Sequence, residues 1–258
     1  MPDPKKPKKS RQARLDEDSP NRIRTMVWFD AVRVASGLPT AEKIEAYLEP
    51  EKVKRSGGKL SKWAKYRDGR SVPKDPSPQD NSIEIAEAAL PGTARWFRSP
   101  IWKVLCGETI SWIALHEHLF FSSSAGSFLF PDPVLFDGKP VLELDASQTL
   151  DCQSLDSIEL IEAVVLLLER GREAQSVQQM QSASQLYEIT TKKVARIPEL
   201  ARNYGNFLDA VERRFFPLLA RGHDDPFSPW HVRLKSDTEF QVTEYALEQA
   251  LVPPYRKQ

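Results

Sequence analysis

The chain is poor in cysteine and glycine, with 2 and 11 residues among 258. Cys106 and Cys152 stand singly, without CxxC spacing. That excludes a small disulfide-stapled secreted scaffold and fits a reducing, cytoplasmic setting. The scarcity of glycine excludes a collagen-like repeat. Long hydrophobic runs are missing too: the longest, Ala163 to Leu168, falls far short of the roughly 18 to 20 residues that a membrane-spanning helix needs. Met1 to Ser10 is basic with no apolar segment after it, and does not read as a secretory signal. There is no phosphate-binding GxxxxGK, no GxGxxG and no HExxH. Ser122, Ser123 and Ser124 lack the glycines of a nucleophile elbow. No residue therefore stands out as catalytic and no cofactor is expected. The reading leans away from an enzyme, and a site assembled from distant residues stays open.

An excess of charge of one sign is also absent. Lys plus Arg and Asp plus Glu both total 36, so the formal net charge is zero. Residues 1–75, however, carry 19 Lys and Arg against 11 Asp and Glu, a net +8, and residues 76–258 carry 17 against 25, a net −8. Such a chain can bring a basic face to a polyanion without being basic overall. Lys5, Lys6, Lys8, Lys9, Arg11 and Arg14 supply part of the excess, so a solvated basic tail accounts for it equally well.

What is present is apolar residue enough, 40% of the chain, to build a sizeable core in one large domain or two small ones. Residues 1–20, rich in Lys, Asp, Pro and Ser, read as a disordered tail. Helices are expected over Arg22–Val34, stopped by Gly37, from a Thr40 cap to Tyr47, over Leu60–Arg67, closed by Gly69, and over Ile83–Leu90. Ser71–Ser82 is a loop between the last two. Pro91 and Gly92 then break the chain and offer Thr93 as the next cap. Trp96, Phe97, Trp102, Trp112, Phe120 and Phe121 mark a core segment. Val134–Phe136 and Val141–Leu144 suit a small β-hairpin near 134–144.

Asp156 and Glu159 have capping-box spacing ahead of Ile158–Glu169, which is apolar nearly all round and central to a bundle, with Gly171 beyond it. Gln178–Ile197 and Pro198–Phe216 follow, with Pro198 suited to a first helical position. Thr243–Leu251 adds a short last helix. The fold class is mainly α, with a basic helical region over 21–95 and an acidic helical region over 96–258.

The sharpest local pattern is Trp63, Tyr66, Gly69, Arg70 and Pro73. Trp63 and Tyr66 share a buried face at i and i+3, and Gly69 closes the helix. These residues, with Gly57 at the turn, resemble the helix-turn-helix of the Cro/lambda-repressor type over about 52–90. Val53 and Ser56 stand where that family carries a small alanine and an apolar residue, and Arg67 where it commonly has an acid. The resemblance implies that Lys59, Leu60 and Lys62 lie toward the major groove. It also implies that Lys54, Arg55, Lys65, Arg67 and Arg70 meet phosphates. An ordinary amphipathic helix with its lysines in water is the alternative.

Other constellations are weaker. His116 and His118 lie about 200° apart on a helix, so they make a poor chelate, and His223, Asp224, Asp225 and His231 have no metal-ligand spacing. Asp132, Glu143 and Asp145 lack the lysine expected of a nuclease. Tyr187, Ile189, Tyr204, Phe207, Leu208, Phe215 and Phe216 suit a core, or else a dimer or partner surface across 156–216. The leading expectation is a non-enzymatic, bacterial-type protein that contacts DNA, or works in a nucleic-acid complex, through residues 52–74. A helical interaction or scaffold protein without a nucleic-acid partner is the other.

Overall fold

A computed structural model describes residues 19–58, 61–76, 81–111, 114, 117–118, 157–173, 177–216, 232–236 and 239–242. The tail before residue 19, Lys59 and Leu60, Trp112, Phe120 and Phe121, the 134–144 hairpin, the Asp156 cap and the 243–251 helix lie outside them. The protein is mainly helical, and among the described residues no helix is long and apolar enough to cross a membrane.

Helix α1, Pro20–Ser36, starts on a proline suited to the first turn and ends at Gly37, whose φ of 65° places it in the left-handed region. It buries Ile23, Val27, Trp28, Ala31 and Val32. Helix α2, Ala41–Leu48, begins at Thr40, whose side chain accepts from the Lys43 N–H as expected. The sequence reading ended this helix near Glu49. The structure adds a short helix, α3, Pro50–Arg55, with the proline at its first position. Helix α4, Lys62–Arg67, buries Trp63 and Tyr66.

Gly69, at φ 62°, lies so close to α1 that a Cβ there would meet the Arg22 Cγ at 2.4 Å and the Met26 Sδ at 2.8 Å. Glycine is needed at that position for its backbone angle and for space. Trp28 meets Trp63, Tyr66 and Phe97 at ring-centroid distances of 5.4, 5.6 and 5.8 Å. This aromatic knot ties α1 to α4 and to the later segment that carries Phe97.

Helices α5, Ser82–Ala89, α6, Thr93–Arg98, and α7, Ile101–Leu105, follow. Thr93 is not the cap of α6. It is the first helical residue, and the Glu87 carboxylate accepts from the N–H groups of Gly92 at 2.8 Å and Ala94 at 2.7 Å. A longer side chain from the preceding helix reaches the orphan donors of α6 that the threonine does not.

Helix α8, Ser157–Glu173, is buried nearly all round, and runs through Gly171 rather than stopping there. Helix α9, Val177–Val194, packs along it. Pro198 does not start the last helix. A 3-10 turn, Ala201–Asn203, leads into α10, Tyr204–Phe215. Tyr187, Tyr204, Phe207, Leu208 and Phe215 are buried in one core with Trp28 and Trp63. An antiparallel pair, β1, Val232–Ser236, with β2, Glu239–Val242, lies near the C-terminus; the sequence reading had no strands there.

Candidate nucleic-acid interface

The basic segment forms α3, a turn through Gly57 and Gly58, and α4. Both glycines have positive φ, 61° and 79°, which reverses the chain at little steric cost. No side chain of α3 is buried, and Lys52, Lys54 and Arg55 are exposed, the first two beside acids. On α4 the buried face is Trp63 and Tyr66, and Lys65 lies on the exposed face between them.

Two acids of α2 and its C-terminal cap hold the front of α4. Glu45 and Glu49, one turn apart, are both buried. Burial raises the Glu45 carboxyl above its ordinary range, although it faces the backbone N–H groups of Lys62 and Trp63. Glu49 accepts from Trp63 Nε1 at 2.9 Å, Lys52 Nζ at 2.6 Å and Lys62 Nζ at 3.0 Å. Burial pushes its carboxyl up, and the hydrogen bonds from Lys52, Trp63 and Lys62 outweigh that and hold it below the ordinary value. The joint ties the C-terminal end of α2 to the start of α4.

The seven cations singled out from the sequence are thereby sorted. Lys62 is drawn inward onto Glu49, its side chain 23% exposed. Arg67 donates to Asp68 at 2.8 Å, and Arg70 also pairs with Asp68. The Arg67 bond, ahead of any effect of burial, holds the Asp68 carboxyl below its usual range. Lys54 pairs with Glu51 at 3.2 Å on the open surface. Arg55 and Lys65 are exposed and have no ion-pair partner among the described residues. Lys59, like Leu60, lies outside those residues.

Counting cations missed the acids that engage them. The signal was present: Glu45 and Glu49 have i, i+4 spacing, and Asp68 sits between Arg67 and Arg70. Opposite charges so close compete with any phosphate for the same guanidinium.

Elsewhere, among the described residues His118 meets an acid shared with an arginine rather than further metal-ligating side chains. Its Nε2 is 3.3 Å from Glu162, a fully buried acid of α8 that also takes Arg95 at 2.7 Å. Among the described residues no group of three His, Cys, Asp or Glu side chains converges as metal ligands would; His116, His223, Asp224, Asp225 and His231 are outside them, as are Asp132, Glu143 and Asp145. Cys106 is exposed as a residue, and partial burial of its sulfur, with Glu108 nearby, raises its thiol above the ordinary value.

No protein-family model matches this chain, and no curated protein and no solved structure matches it.

Proposed function

We propose that this chain is a non-enzymatic DNA-binding protein, or an accessory of a nucleic-acid complex, that contacts the DNA backbone through its 52–74 segment. The observation that carries the reading is the exposure of Arg55 and Lys65 without acid partners among the described residues. Lys54 and Arg70 extend the same exposed basic segment, each beside one acid. Phosphate recognition needs solvent-facing cations on a fixed scaffold, and it carries no sequence information by itself. Glu45 and Glu49 supply that fixity by seating α4 against α2. Lys62, held by Glu49, belongs to the scaffold in this reading.

The overall balance of charge confines the contact to one end of the molecule and disfavours coating of long DNA. The scaffold-protein alternative draws less support. Among the described residues Tyr47, 53% exposed, is the one large hydrophobic side chain that stands in water.

Anisotropy of a labelled DNA duplex, titrated with the protein across a range of salt, tests the proposal. Affinity is expected to fall linearly with salt on logarithmic axes. Arg55→Ala and Lys65→Ala should each weaken binding and reduce the slope by about 1, as loss of one phosphate contact requires. Absence of binding to duplex and single strands at low salt overturns it.

A further inference from the structure

Helix α4 ends in a fixed turn. The Asp68 N–H donates to the Ala64 carbonyl at 3.1 Å, the Gly69 N–H to the Tyr66 carbonyl at 3.0 Å and the Arg70 N–H to the Lys65 carbonyl at 2.8 Å. Gly69 supplies the left-handed angle that such a helix end needs, and it packs against the Arg22 and Met26 side chains of α1. Asp68 and Arg70 are thereby held on either side of Gly69, just beyond the exposed Lys65.

One carboxylate bridges two guanidinium groups at this turn. Arg67 Nε donates to Asp68 Oδ1 at 2.8 Å, and a terminal nitrogen of Arg70 donates to Oδ2. Each oxygen takes one arginine, as the two free oxygens of a phosphodiester do when arginines grip it from both sides. All three side chains reach solvent, Arg70 the most. Two further charges face the turn: Glu42 of α2 acts on Arg67 through space, and Arg22 lies against Gly69 from α1.

We propose, resting on the reading of 52–74 as a DNA-backbone contact, that Asp68 is a built-in counter-anion: it occupies Arg67 and Arg70 in the free protein, and a DNA phosphate takes its place between them. Exposed ion pairs are weak, so a phosphate can displace this acid. Lys62 differs, because its partner Glu49 is buried. The Arg67 bond holds the Asp68 carboxyl below its ordinary value, so the acid is charged at neutral pH and restrains the contact there.

Anisotropy of a labelled DNA duplex across salt tests this with the full chain. Asp68→Asn keeps the side-chain size and removes the charge. It should bind about three- to tenfold tighter than wild type at low salt. Its salt slope should be steeper by about 1 to 2, one for each arginine released. With Arg67→Ala and Arg70→Ala already present, Asp68→Asn should change affinity by less than about twofold, because the acid then has nothing to occupy. Glu42→Gln, which also removes an acid, should leave the slope unchanged. If Asp68→Asn does not fold, the equally neutral Asp68→Ser decides. Weaker or unchanged binding in Asp68→Asn overturns the proposal, as does an equal gain when both arginines are gone. Wild-type binding that weakens with Arg55→Ala and Lys65→Ala but ignores Asp68→Asn overturns the counter-anion and leaves the DNA contact standing. No binding by wild type or by Asp68→Asn overturns both.

Discussion

A buried carboxylate decides what the cations around it can do. Glu49, 6% exposed, orients Lys52, Lys62 and the Trp63 indole together. Glu49→Gln keeps an acceptor for the indole and removes the charge that both lysines answer. The lysines can turn to water, so the expected loss is about 1–3 kcal/mol, below the cost of a fully buried broken pair. Urea unfolding near neutral pH measures it. Because the Glu49 carboxyl is depressed in the fold, its contribution is present above the ordinary carboxylate range. It is lost as pH falls through the depressed value, so wild type and variant should converge in acid. In the same experiment Lys62→Ala should lower stability, while in the anisotropy titration it should weaken binding far less than Arg55→Ala or Lys65→Ala.

Helices were legible where one signal controlled them. Thr40 caps α2, and the apolar run of 158–169 forms the buried helix α8, since nothing in either segment competes with the helical reading. Illegible elements were those in which a residue served two ends or a distant group intervened. Pro50 stops α2 by restricting Glu49, and the same fixed φ starts α3. Glu159 accepts from Arg95 at 3.1 Å, across 64 residues of sequence, a contact that local spacing does not announce. Glu87 caps α6 from the helix before it, a role that spacing rules assign to Thr93. Glu87→Ala should therefore cost about 1 kcal/mol, the usual loss of a helix cap, and Thr93→Ala less. Thermal melts of the two variants compare them. At the basic segment, the residue types and Gly69 were readable, but pairing with Glu49 depends on how α2 meets α4.

The basic and acidic stretches of the chain share one core. Asp30 of α1, 1% exposed, accepts from Arg33 at 2.9 Å, Arg202 at 3.0 Å and Asn203 at 2.9 Å. Arg24 on the same helix donates to the Phe97 carbonyl at 2.6 Å and lies 3.7 Å over the Phe97 ring. Arg95 reaches from α6 to Glu162 on α8. Asp30→Ala strands the buried Asn203 amide and should cost about 2–4 kcal/mol. Tryptophan fluorescence and circular dichroism should still report one coincident transition, and two separate transitions would disprove the shared core.

The Asp30 contacts also impose an order on synthesis. Arg202 follows Asp30 by 172 residues, which at ribosomal speed is a delay of roughly 10–30 s. Through that interval a nascent α1 has Arg33 alone of the three partners, and its carboxylate keeps its water. Helix α1 is thus made long before it is sealed, and a chain cut short before residue 202 lacks Arg202 and Asn203 to seal it.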